Sequence, residues 1–145
     1  MNRVSDILKR KGTSVASIGE AATVLEAARA MNERRIGSLV VLRGETVIGI
    51  FSERDILTRV VAENRNPEAT RVGEVMTAPV ACCKLATTLE ECKSVMTEQR
   101  VRHLPVVETG RLQGIVTSGD VLAFEAREQE HTIEFLYHYL YGTTP

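Results

Sequence analysis

Residues 15–57 read VASIGEAATVLEAARAMNERRIGSLVVLRGETVIGIFSERDIL, and residues 80–122 read VACCKLATTLEECKSVMTEQRVRHLPVVETGRLQGIVTSGDVL. The two stretches align without a gap when the chain is shifted by 65 residues. Identities include Thr23 with Thr88, Gly49 with Gly114 and Asp55 with Asp120. A shorter match, between residues 4–8 and 72–76, precedes the copies at a slightly different offset. The chain therefore contains a duplicated unit.

Each copy predicts the same order of elements, βαββα. A short strand at residues 15–18 or 80–84 is followed by a helix that begins at Thr23 or Thr88, where Thr-x-x-Glu forms a capping box. Two β-rich runs joined by a glycine-containing connection then predict a hairpin, and a closing helix begins near Ser52 or Thr117. One sheet face of each unit is apolar, so the two units should pack against each other.

The predicted fold class is α/β (α+β), with two βαββα units packed sheet to sheet in pseudo-twofold symmetry. We assign residues 1–65 to the first unit with an N-terminal helix, residues 66–125 to the second unit, and residues 126–145 to a C-terminal helical tail. The tail carries an apolar stripe at helical spacing. Two interpretations of this stripe are open: it packs back onto the units, or it forms a dimer contact.

Composition and charge restrict the function. The chain has 18 basic and 19 acidic residues, a net charge of −1, which supplies no broad field for nucleic acid. Lys9, Arg10 and Lys11 are therefore most simply a solvated helix end. The first residues lack the apolar region of a signal peptide and no stretch approaches 18 apolar residues, so we expect a cytoplasmic protein without membrane contact.

The closing motif carries a family resemblance. It reads Gly49-Ile-Phe-Ser52-Glu-Arg-Asp55 in the first copy and Gly114-Ile-Val-Thr117-Ser-Gly-Asp120 in the second. A duplicated unit that ends in Gly-h-x-(Ser/Thr)-x-x-Asp, where h is apolar, resembles the cystathionine-β-synthase-type (CBS) domain. The ending HTIEFLYHYLYG, with FSERDIL and MTEQRVRHLPV, is similar to stand-alone bacterial proteins made of a CBS pair.

The resemblance implies two clefts that bind adenine nucleotides, AMP most readily, with ATP, ADP or NAD-type ligands as alternatives. An ionised Asp suits a ribose because it accepts two hydroxyl donors, and Asp55 and Asp120 fit this role. Ser52 and Thr117 stand at helix starts, where the dipole favours a phosphate. The same Ser/Thr-x-x-Asp pattern is also a helix cap, which is the purely structural interpretation of both motifs.

The family pattern adds residues around each Asp. The first strands and the entries to the second strands would supply backbone groups and apolar walls to the base, and arginine or histidine side chains would reach the phosphate. The first group comprises Ser14, Val15, Ala16, Thr77, Val80, Gly37, Ser38, Leu39, Leu104 and Pro105, and the second comprises Arg54, Arg102 and His103. Gly119 stands where the first copy has Arg54, so the clefts should be unequal. We expect the Asp120 cleft to take an AMP-like ligand, because Pro105 stiffens its wall.

These observations predict a regulatory module rather than an enzyme. It would sense adenine nucleotides and signal by a change of shape or of partner, as a homodimer acting on an unidentified regulated protein. The alternative is a nucleotide-independent dimeric scaffold. A small enzyme ranks last, because Glu53 and Glu98 are the only candidate bases and neither lies in a metal-like cluster. We predict no catalytic residue, no metal site and no catalytic cofactor.

Overall fold

The helices and strands follow the predicted order, except that the first strand of the second copy is reduced to an isolated bridge. The computed structural model describes residues 2–142, so Met1 and residues 143–145 of the predicted tail lie outside the described part of the chain. The elements are α1 (Val4–Lys11), β1 (Ser17–Gly19), α2 (Val24–Arg34), β2 (Ser38–Arg43), β3 (Thr46–Ser52), α3 (Glu53–Asp55) continued as a π-helix (Ile56–Val61), α4 (Val72–Val75), α5 (Leu89–Gln99), β4 (His103–Glu108), β5 (Arg111–Thr117) and α6 (Ser118–Tyr141).

Two antiparallel hairpins repeat each other closely. In β2–β3 Leu39 pairs with Phe51, and in β4–β5 Leu104 pairs with Val116. Both ladders carry a register shift at the same place, directly after Val41 and directly after Val106. β3 lies against β5, so the hairpins of the two units meet. The α/β fold class and the arrangement of the two units are therefore confirmed.

The predicted first strand forms in only one of the two copies. β1 pairs in parallel with β2, whereas the strand predicted at residues 80–84 is reduced to one bridge between Cys83 and Val106. In the first copy the Val40 N–H donates to the Ala16 carbonyl at 3.1 Å. The residue equivalent to Val40 is Pro105, which has no N–H to donate. One side-chain ring thus explains the shorter pairing in the second copy.

The short helix before each copy packs on the other copy. Val4, Ile7 and Leu8 of α1, which the sequence places with the first unit, lie in the hydrophobic core of the second. Val72 and Val75 of α4 lie in the core of the first. Backbone hydrogen bonds fix the exchange, from Val4 N–H to the Thr87 carbonyl (2.8 Å) and from Val72 N–H to the Ala22 carbonyl (2.8 Å). Neither unit completes its core without the other's leading helix.

Helix caps form where the sequence predicted them. The hydroxyl oxygens of Thr23 and Thr88 accept from the amides of Glu26 (3.1 Å) and Glu91 (3.2 Å). The reciprocal half of the predicted capping boxes, a bond from the Thr amide to the Glu side chain, does not form at either helix. The C-terminal tail is the continuation of α6, whose last buried side chain is that of Phe124. Residues 126–142 are all exposed, so of the two interpretations of the tail, packing back onto the units is wrong for the described residues.

Candidate functional site

The cleft at the end of β3 is built around a buried carboxylate. Asp55 is 5% exposed, and its Oδ2 accepts from the Ser52 amide (3.0 Å) and the Ser52 hydroxyl (3.2 Å). Its Oδ1 accepts from the hydroxyl of Thr77 (2.9 Å). Ser52 in turn caps α3 by accepting from the Asp55 amide at 3.3 Å. The structural interpretation of this motif is thus realised, and both carboxylate oxygens already have partners.

The equivalent cleft at the end of β5 is more open. Asp120 Oδ2 accepts from the Thr117 amide (2.9 Å), and Thr117 Oγ1 accepts from the Asp120 amide (3.0 Å), so a capping box forms here as well. The side chain of Asp120 is 24% exposed, against 7% for Asp55. Its Oδ1 receives no hydrogen bond from any of residues 2–142. One acceptor oxygen therefore remains available at this site.

Lys11 occupies the Asp120 cleft. Its Nζ donates to Asp120 Oδ2 at 2.6 Å and to the Ile115 carbonyl at 3.0 Å. The expectation that Lys9, Arg10 and Lys11 form a solvated helix end is therefore wrong for Lys11, and Arg10 lies over the ring of Phe124 at 4.6 Å. These contacts could not be predicted from the sequence, because they join α1 to residues more than 100 positions away and form only when α1 docks against the other repeat.

Both clefts combine residues of the two repeats. Thr77 precedes the second copy but donates to Asp55 of the first, and Lys11 precedes the first copy but pairs with Asp120 of the second. The exchange of α1 and α4 is the physical cause, since each leading helix carries its following segment across to the other unit.

The predicted strand-entry residues lie beside the two motifs. Ser38 pairs with Ser52 and His103 pairs with Thr117 across the hairpins. The carbonyls of Gly37 and Arg102 accept from the amides of Glu53 (3.0 Å) and Ser118 (2.9 Å). These contacts hold each strand entry against the start of its closing helix.

Other predicted residues differ in how much of the side chain is accessible. Leu39 and Leu104 lie in the two cores, which leaves only their backbone to face a cleft. Pro105 is buried, while Val15, Ala16 and Val80 are partly buried. Exposed positions are Ser14, Arg54, Arg102 and Gly119.

A further arginine near Asp55 was missed. Arg59 donates from Nη1 to the Met76 carbonyl (2.8 Å), and its Nε lies 3.7 Å from Asp55 Oδ1. The spacing of four residues from Asp55 along a helix was a usable signal. Arg59 also lines a surface cavity of about 420 Å³ with Arg65 and Glu74, and a cavity of about 500 Å³ lies beside Gly37. Both cavities are wide open to solvent.

The electrostatics of the Asp120 cleft favour an anion. Burial alone would raise the pKa of Asp120, but the hydrogen bonds from Lys11 and from the Thr117 amide outweigh it and hold the pKa below its ordinary value. Burial lowers the pKa of His103, and the positive charges of Lys11 and Arg102 lower it further. His103 is thereby kept neutral beside two cations. Around His103 the charges of Lys11 and Arg102 thus outweigh that of Asp120.

Comparison with known proteins decides the family. The CBS domain model matches residues 4–62 and again residues 72–127. The chain belongs to the CBS domain family. The mitochondrial CBS domain-containing protein CBSX3 of Arabidopsis thaliana is 32% identical, over 96% of this chain and 72% of that protein.

Solved CBS proteins have the same fold. One is a protein of Burkholderia ambifaria that is described as a signal-transduction protein with CBS domains. It superposes with a TM-score of 0.84 at 37% identity, and the match covers 88% of this chain and 96% of that one. A hexameric CBS-CP12 protein from bloom-forming cyanobacteria gives 0.77 at 26% identity, covering 90% and 75%. This chain is thus a CBS pair of the regulatory, signal-transduction-like kind. Among residues 2–142 no helix has the length and apolar character needed to span a membrane.

Proposed function

We propose that this CBS pair senses adenine nucleotides without turning them over, and that the Asp120 cleft binds an AMP-like ligand. The observation that carries the proposal is the unengaged Oδ1 of Asp120 beside the ammonium of Lys11. An ionised carboxylate oxygen accepts ribose hydroxyls, and a lysine ammonium carries three donors, of which two are used. Both halves of a nucleotide then have a partner within one cleft.

The start of α6 supplies further groups for a phosphate. α6 is 24 residues long, and Asp120 lies in its first turn. The dipole of such a helix start favours negative charge. Gly119 is exposed there, so a phosphate can approach the backbone closely. Arg102 supplies a further cation, and the neutral His103 supplies one N–H donor, to the same group.

The Asp55 cleft is proposed as the weaker or different site. A ribose could reach Asp55 only by displacing the hydroxyl of Thr77 from Oδ1, and the carboxylate is 5% exposed. Arg54 and Arg59 supply cations at this end of the module in place of Lys11. An NAD-type or ATP ligand, which carries a longer phosphate chain, suits these two arginines better than AMP does.

Signalling would follow from the position of the two carboxylates. Each lies in the first turn of a closing helix and contacts a segment that leads into the other unit. A phosphate that shares the Lys11 ammonium would weaken its pair with Asp120, and with it the contact between α1 and α6. The result would be a shift in the relative placement of the units, read by a second copy or a regulated partner protein.

Calorimetric titration tests the proposal. The full chain, stripped of bound nucleotide, is titrated with AMP, ADP, ATP and NADH. Asp120→Asn should weaken AMP binding about 10- to 100-fold, the equivalent of one hydrogen bond to a charged group. Asp55→Asn should leave AMP binding at the other cleft within about threefold, and Glu45→Gln, an exposed acidic control, should change nothing. Absence of heat with all four nucleotides would refute nucleotide sensing.

A dimeric scaffold that ignores nucleotides is the second candidate. It is favoured by apolar side chains left in water on the closing helices, with Leu57, Val61 and Leu122 62–66% exposed. The hexameric state of the CBS-CP12 protein gives a precedent for self-association. This candidate predicts a dimer whose mass, shape and thermal stability do not change with saturating AMP. A nucleotide-dependent shift in sedimentation would exclude it.

A further inference from the structure

The C-terminal half of α6 extends beyond the CBS pair. The second family match ends at residue 127, yet the helix continues to Tyr141. Its last buried side chain is that of Phe124, and every residue from 126 to 142 is exposed. At about 1.5 Å per residue, this exposed part is more than 20 Å long.

The exposed part of α6 is rich in large apolar side chains. Seven large ones are between 37% and 78% exposed: Ile133, Phe135, Leu136, Tyr137, Tyr139, Leu140 and Tyr141. Helices in water owe most of their stability to packing of an apolar face. A contiguous apolar surface of this size generally marks an interaction site.

One row of residues on α6 has the spacing of a coiled-coil seam. Leu122, Ala126, Gln129, Ile133, Leu136 and Leu140 follow one another at intervals of 4, 3, 4, 3 and 4 residues. We call these six residues the seam. This alternation of four and three residues is the spacing of the a and d positions of a coiled coil, whose side chains pack into holes on a second helix. Phe124, which anchors α6 to the body of the protein, lies on a different side of the helix from the seam.

We propose that α6 pairs through the seam with α6 of a second copy of this chain. The four large seam residues, with Tyr137 and Tyr141 at their edge, offer roughly 600 Å² per copy, since each large apolar side chain removes on the order of 100 Å² from water. A standard stable interface takes about 800 Å² per partner. The seam therefore supplies most of what a dimer needs.

The charges beside the seam favour a protein helix over a lipid surface. Helices that lie on membranes carry Lys and Arg on the polar face. This segment carries Glu128, Glu130 and Glu134 against a single Arg127. An anionic bilayer would repel this net negative charge, whereas salt screens the same exposed charges between two copies that meet through the apolar row.

Sedimentation velocity of the full chain, without nucleotide, tests the pairing between about 1 and 100 µM. The expected species has twice the 16.0 kDa of the monomer. The seam variant is Ile133→Glu with Leu140→Glu. Its matched control is Phe135→Glu with Tyr139→Glu, which removes two equally exposed apolar side chains from another side of the same helix and adds the same charge.

The seam variant should dimerise at least 10-fold more weakly, while the control keeps the wild-type mass. A monomeric wild type at 100 µM would refute the pairing, as would a seam variant that keeps its mass or a control that dissociates equally. Binding of a monomeric wild type to phosphatidylserine vesicles would assign the tail to lipid instead. Both variants lie outside the cores, so at concentrations where the wild type is monomeric their urea midpoints should match it. The pairing does not rest on nucleotide sensing, and either can fail alone.

Discussion

Replacement of the two sequence-equivalent aspartates by alanine should have unequal effects on stability. Asp55 is 5% exposed, and its two oxygens accept from the Ser52 amide (3.0 Å) and the Thr77 hydroxyl (2.9 Å). A hydrogen bond to a charged group contributes about 1.5–3 kcal/mol, and part of this is offset because removing the carboxylate also removes its desolvation cost. We therefore expect Asp55→Ala to lower the free energy of unfolding by about 3 kcal/mol.

The cost at Asp120 should be smaller. Its side chain is 24% exposed, and that of its partner Lys11 is 29% exposed, so solvent screens the ion pair despite the 2.6 Å separation. Loss of this pair and of the Thr117 amide contact at 2.9 Å should together cost about 1 kcal/mol. The difference between the two variants is then about 2 kcal/mol.

Urea denaturation followed by circular dichroism measures this difference, because the chain has no Trp to serve as a fluorescence probe. With an m-value of about 2 kcal/mol per M, Asp55→Ala should unfold about 1 M earlier than Asp120→Ala. Asp6→Ala serves as a control, because Asp6 caps α1 through the exposed Arg3 amide at 2.9 Å and should cost no more than about 1 kcal/mol. Equal midpoints for the two variants, or an earlier midpoint for Asp120→Ala, would contradict the reasoning.

Other substitutions test the clefts and the backbone. Because burial lowers the pKa of His103, the unfolded chain takes up a proton first as the pH falls below about 6.5, so stability should drop between pH 7 and 5; His103→Gln should flatten this part of the urea profile. Lys11→Met should weaken AMP binding about 10-fold by calorimetry and leave adenosine unchanged, if Lys11 holds the phosphate. Gly49→Ala should cost about 2 kcal/mol in urea, because its Cβ would lie 2.9 Å from the Thr77 carbonyl oxygen. Gly119→Ala meets no atom closer than 3.6 Å and should raise the unfolding midpoint slightly; a lower midpoint would contradict this.

Much of the architecture was predictable because a duplication supplies two independent samples of one pattern. The hairpins, the closing helices and the caps at Thr23 and Thr88 depend on local spacing, and local hydrogen bonds satisfy them. The capping boxes at Ser52 and Thr117 follow in the same way. The first strand of the second copy could not be predicted from its own residues, since its pairing was shortened by Pro105 on a neighbouring strand.

The sequence by itself determined the repeat, the element order and the family, because these depend on periodicity and on short motifs within one segment of chain. Only the tertiary structure decided that α1 and α4 exchange between the units, since both positions bury an apolar face and nothing local distinguishes them. That exchange places Thr77 against Asp55 and Lys11 against Asp120. Two aspartates with the same motif thus acquire different burial and different partners, and their inequality is a property of the assembled fold.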